Sequence, residues 1–271
     1  MRRALMTIGL GIGSLACSEY PTEVRLAVCD DPSDPAAQEC EWRSEIAAGK
    51  RIEILAINGR IEASLAPGNE VVVSWVKHGS RHDPSEVTIE VVTHDDGVTI
   101  CAIYPSSSGA PANSCLPNGG GTNNVRESDV EVTFTVSVPQ GVSLDGRLVT
   151  GDIEAEGLRS DVFASTVTGY VTVSTSELAI ASTVTGSVFA SIGEPGWDRD
   201  LTFCTVTGDV TVEIPSNTNA VVYAAAVTGD VYSDFPLSKD STGGWYATIG
   251  SGGRTLTAAT VTGNVRLRRG A

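Results

Sequence analysis

Asp209 and Asp230 each follow the glycine of a short repeat in two successive copies. If those copies stack, the two carboxylates stand about one strand spacing apart, near 4.8 Å. Carboxylates that close can work as the acid pair of a glycoside hydrolase or hold a cation. The plainer reading is a wet corner where repulsion is tolerated, because the neighbouring copies place Ser187 and Asn264 in that column and no acidic cleft continues. His78 and His82 have metal-ligand character, yet they flank Gly79 in a turn signal beside Lys77 and Arg81, which fits a solvated loop. Asp30, Asp31 and Asp34 are acidic enough for calcium but lack the spacing of calcium loops. Gly250-Ser251-Gly252-Gly253 is not followed by a helix pattern, so it is no phosphate cradle. No serine or cysteine nucleophile has a base partner, and no catalytic residue, metal ligand or cofactor site is assigned. Trp197 and the pair Trp245-Tyr246 are the best ligand contacts: they fall in insertions, Gly193 to Asp200 and Pro236 to Gly253, and an aromatic ring can stack on a sugar.

These residues hang on a repeat. A Val-Thr-Gly step occurs at Gly151, Gly169, Gly186, Gly208, Gly229 and Gly263, four times as T-V-T-G, and Gly59 sits in an earlier segment of the same pattern. A unit of about 20 residues without helical periodicity cannot bury its own apolar face, so it stacks on its neighbours as a coil of a β-solenoid. Two and four residues after each glycine the side chains are mostly apolar, as in Val171/Val173 and Val210/Val212. Seven and five residues before it lie Val162/Ala164, Ala179/Ala181, Leu201/Phe203, Val222/Ala224 and Leu256/Ala258. The inward sets change from odd to even offsets across the glycine, which makes it the corner, since only glycine takes positive φ at little cost. The threonine three before the glycine can face either way. Arg51 to Ala63 reads as a first coil, and Glu70–Trp75, Val87–Thr93, Val98–Tyr104 and Val130–Val138 read as strands, either longer coils or a separate small sheet.

The rest of the chain describes an address. Arg2 and Arg3 precede an apolar stretch from Ala4 to Leu15 that is too short to span a bilayer, and Ser14-Leu15-Ala16-Cys17 closes it in the manner of a bacterial lipoprotein signal with a lipidated Cys17. Leucine stands one place later than such signals place it. Cys29 and Cys40 bracket an Asp/Pro-rich loop, and Cys101 and Cys115 bracket a Gly/Pro loop, so two disulfides in an oxidising compartment are expected. Cys204 is then a small packed residue. Without acylation at Cys17, six cysteines allow other pairings. A net charge of −15 disfavours nucleic acid and anionic lipid, so membrane contact is expected only through the lipid anchor.

The order of segments resembles the bacterial putative-adhesin family of unknown function with β-strand repeats. The resemblance rests on Ile57-Asn58-Gly59-Arg60-Ile61, the Tyr104-Pro105 step, Phe134 to Pro139, and the serial V-T-G-D-V steps at 206–210 and 227–231. It implies an all-β, right-handed, single-stranded-type solenoid exported to the cell envelope, and it brings no catalytic residues. The expected layout is a signal over 1–16, a disulfide-containing segment over 17–50, a β-rich region with the first coil over 51–140, and the T-V-T-G solenoid over 141–271. The expected function is a non-catalytic, adhesin-like module, monomeric because Arg266, Arg268 and Arg269 guard the last edge, with a glycan or an envelope protein as partner. An envelope-stress sensor or scaffold and a polysaccharide-processing enzyme are the alternatives.

Overall fold

The computed structural model describes residues 28–29, 39–239, 241 and 243–270. The signal, Cys17 and Asp30, Asp31 and Asp34 lie outside the described residues. The described chain is all-β, with two single-turn 3₁₀ segments and two eleven-stranded sheets. Alternation of apolar and polar side chains produces the strands, and it buries one face of each sheet against the other: Ile153, Val171, Val210, Val265, Val162, Ala179, Leu201 and Leu256 are all fully buried in one continuous core. Thr, Val and Ile dominate these strands because β-branched side chains fit a half-buried pleated surface.

The chain passes from one sheet to the other at each repeat glycine, and successive passes pair in parallel. Asn58–Leu65 pairs with Thr150–Leu158, which pairs with Val171–Thr175, then Val188–Ile192, then Val210–Pro215. On the opposite sheet, Arg51–Leu55 pairs with Ser143–Arg147, and the series continues through Val162–Ser165, Ala179–Thr185 and Leu201–Thr207. Strands on both sides of residue 140 therefore share both sheets.

Two departures from sequence order decide the ends of the stack. The last pass, Thr255–Thr262 and Val265–Gly270, does not add to the end. It is inserted between the pass of Leu201–Thr207 and Val210–Pro215 and the pass of Ala220–Thr228 and Val231–Ser233. The arginines of Val265–Gly270 therefore sit on an inner strand, and the expectation that they guard a terminal edge is corrected. The first pass is likewise internal: Gly97–Ile103 and Glu131–Val138 lie outside it, each in parallel. Residues 64–140 are thus neither coils alone nor a separate sheet. They contribute one outer pass, flanked by antiparallel strands Glu70–His78 and Thr88–His94, with Cys40–Glu45 beyond the former. At the other end Trp245–Ile249 closes antiparallel on Ala220–Thr228, and Ser238–Lys239 closes on it in turn.

The corner is the same at every pass. All seven repeat glycines have φ between 129° and 146°, a region side chains rarely enter. A Cβ on Gly151, Gly169, Gly186, Gly208, Gly263 or Gly229 would lie 1.7–2.0 Å from the carbonyl oxygen of the glycine in the adjoining pass. The glycines form one row, in the order 59, 151, 169, 186, 208, 263, 229. Four of the seven glycines have a threonine three residues before them, and it faces inward: Thr166, Thr183, Thr205 and Thr260 are 3–5% exposed, and each hydroxyl donates to the neighbouring glycine carbonyl at 2.9–3.1 Å. That bond satisfies an acceptor at the turn. Immediately after, two successive N–H groups share one carbonyl, as Val167 and Thr168 do at Val149 O (3.2 and 2.9 Å). The in–out alternation breaks there, and valine and threonine both turn outward.

Candidate functional site

The acidic pair comes apart on inspection of the strand order. Because the last pass intervenes, Asn264 stands between Asp209 and Asp230, and the two carboxylates are not neighbours. Asp209 and Asn264 instead each tether the next corner. Asp209 Oδ1 accepts from Asn264 N–H at 2.8 Å, and Asn264 Oδ1 accepts from Asp230 N–H at 3.1 Å. Asp152 does the same for Tyr170 N–H at 2.8 Å, and Ser187 Oγ for Asp209 N–H at 3.0 Å. Arg266 donates to Asp209 Oδ2, and this bond, followed by the Asn264 N–H, holds the Asp209 carboxyl below its ordinary pKa. A carboxylate so engaged is kept ionised, which suits a structural acceptor and not a proton donor.

His82 has the acidic partner that sequence did not offer. Its Nδ1 lies 2.8 Å from Asp129 Oδ1, and Asp129 also accepts from the Ser80 hydroxyl (2.7 Å) and from the N–H groups of Arg81 and His82 (2.9 and 3.0 Å). The Ser80 hydroxyl first, then the His82 bonds, push the Asp129 carboxyl far below the carboxylate range. Asp129, 47 residues along the chain from His82, clamps the 79–83 turn. Gly250 to Gly253 is a turn whose Ser251 N–H is capped by Asn219 Oδ1 at 2.8 Å.

A buried polar cluster has no sequence signal. Glu53 is fully buried, with Oε2 accepting from Thr99 Oγ1 at 2.5 Å and Asn118 N–H at 2.8 Å. Arg51 and Arg147 lie 3.8 and 4.0 Å from Oε1, and Arg147 grips Asp145 through two bonds of 2.8 and 2.6 Å. The strand alternation points Glu53 to solvent; the Pro117–Gly119 turn, just beyond the Cys101–Cys115 disulfide, brings the Asn118 N–H onto it. Cys40 is also disulfide-bonded and stands opposite Cys29 in the strand register. Cys204, the free cysteine among the described residues, is half-buried between Ser182 and Ala259, and burial raises its thiol pKa. Among the described residues no group of three or more His, Cys, Asp or Glu side chains converges as a metal site.

What the corner does present is a surface. Val149, Val167, Val184, Val206 and Val261 are each 42–45% exposed and Val227 is 77% exposed, one per pass, with an exposed threonine beside each. The exposed tyrosines Tyr223 and Tyr246 face each other across an antiparallel pair. Trp197 and Trp245 are partly buried and pack against the core, with Lys239 Nζ 5.4 Å from the Trp245 ring centre. Of the three aromatic contacts expected from sequence, Tyr246 is the one that faces outward.

No family model matches the chain, and no curated protein matches it. Similar solved structures include the following two. A putative cell adhesion protein from Clostridium sporogenes is 11% identical, with 85% of this chain and 99% of that one covered at a TM-score of 0.48. A putative adhesin from Bacteroides fragilis is 14% identical, with 87% and 98% covered at a TM-score of 0.27. At such scores neither likeness bears on what this chain does.

Proposed function

We propose that this chain is a non-catalytic, adhesin-like interaction module of the bacterial cell envelope: a right-handed β-solenoid, exported, lipid-anchored at Cys17, and monomeric. The observation that carries the reading is the uninterrupted row of outward valines and threonines. Single exposed aliphatic side chains are ordinary on a protein surface, but six in register make a continuous apolar line that marks a contact surface. The engagement of Asp209 by Asn264 and Arg266, away from Asp230, supports contact over hydrolysis. The Cys101–Cys115 bond supports an oxidising compartment.

Photo-crosslinking from residue 184 or 206 in cells tests the reading. Capture of a glycan or of one defined protein is expected, and Val184→Lys with Val206→Lys abolishes it while the circular dichroism spectrum is unchanged. A polysaccharide hydrolase or lyase activity that disappears in Asp209→Asn overturns the reading.

A further inference from the structure

We propose that the outer sheet face at the inserted end of the stack binds a neutral glycan, with the rings of Tyr223 and Tyr246 as its stacking platform. The inference goes beyond the interaction-module reading: it assigns a second surface, apart from the row of valines, with a ligand class of its own.

The platform follows from register. In Ala220–Thr228 the side chains of Val222 and Ala224 are buried, so Tyr223 between them points outward. In Trp245–Ile249 the buried residue is Ala247, so Tyr246 points outward too, and the antiparallel pairing sets it directly opposite Tyr223. The two rings are 50% and 45% exposed. Cross-strand partners share a face, so the row extends by Ser238 beside Tyr246 on one side and by Thr257, then Thr202, beside Tyr223 on the other. Five hydroxyl-bearing side chains thus cross five strands, over about 19 Å at strand spacing. The cation nearest in sequence, Lys239, pairs with Trp245 on the opposite face.

That chemistry selects its ligand. Aromatic faces stack on the C–H faces of sugar rings, and hydroxyls on both sides donate to and accept from sugar hydroxyls. The row holds no formal charge on a chain of net −15, so a polyanion is repelled by the whole molecule and a polycation finds no carboxylate in the row. A neutral polyhydroxylated chain satisfies both conditions.

The test presents the wild-type protein to an array of neutral cello-, xylo-, manno- and chito-oligosaccharides alongside sialylated and sulfated ones. Binding to at least one neutral series is expected, weakened at least tenfold by Tyr223→Ala or Tyr246→Ala and only a few-fold by the corresponding phenylalanine variants. A footprint needs no variant: the bound oligosaccharide should protect Tyr223 and Tyr246 from iodination, while exposed Tyr170 and Tyr232 remain reactive. Neutral binding without that protection, or binding only to charged glycans, overturns the proposal. If no glycan binds and the in-cell crosslink captures a single protein, the glycan inference falls and the interaction-module reading stands.

Discussion

Each repeat glycine is fixed by two constraints, a left-handed φ and a carbonyl where a side chain would go. For Gly186 these are φ 141° and Gly169 O at 1.9 Å from a built Cβ. Gly186→Ala is therefore expected to lower stability by about 3 kcal/mol or more in chemical denaturation. Gly157 has φ 64° and open space around it, so Gly157→Ala should cost only about 1–2 kcal/mol. The contrast separates crowding from backbone preference. Asp129 offers a pH test. Its pKa is lowered on folding, so its contribution to stability is present above the unfolded value near 3.9 and is lost as pH falls through the folded value. Melting temperature measured between pH 2 and 7 should fall toward acid in the wild type. Asp129→Asn should melt lower at neutral pH and lose less on acidification. At this scale sequence was informative where a residue repeats and silent where it does not. The columns after and before the glycine faced inward as their spacing requires, and the inward threonine found its role only once the glycine carbonyl it serves was in place. Glu53 and Asp129 take their partners from 65 and 47 residues away, and no local pattern marks such a meeting.

At the scale of elements, the existence and type of the strands were legible, since period-two alternation runs through most of them; Arg51–Leu55, Gly97–Ile103 and Ser143–Arg147 depart from it because both of their faces are covered. Their order in space was not. Stacked passes present the same column of side chains to either neighbour, so any pass fits against any other, and repetition erases the address of each. The step of 34 from Gly229 to Gly263, against 17 to 22 between the glycines from Gly151 to Gly229, was the one trace of the displaced pass. Cysteine pairs can check the order in a Cys204→Ser background. Thr211→Cys with Arg266→Cys places thiols on directly paired positions and should oxidise readily to a disulfide. Thr211→Cys with Tyr232→Cys is separated by a whole strand and should remain reduced. Fast crosslinking of the second pair would mean that the passes stack in chain order.

For the whole molecule, the open ends of a parallel stack are the hazard, because an unpaired strand is a template for another chain. At one end antiparallel strands cover both sheets, Glu70–His78 on one and Thr88–His94 on the other; at the opposite end Trp245–Ile249 covers one sheet, and the three-residue strand Val231–Ser233 is the short edge of the other. Replacing residues 236–253 with a short Gly/Ser linker should bare Ala220–Thr228 and produce concentration-dependent association in light scattering, where the intact protein stays monomeric. An unchanged monomer would assign the protection to charge instead. The inserted final pass carries a different kind of consequence, one about time. The slot it fills is bordered on both sides by segments made earlier, so the fold cannot be zipped up lap by lap from its beginning. Residues 220–233 must be kept from closing on 201–215 until residues 255–270 have been made, and a nascent chain that closed early would have to reopen to admit them.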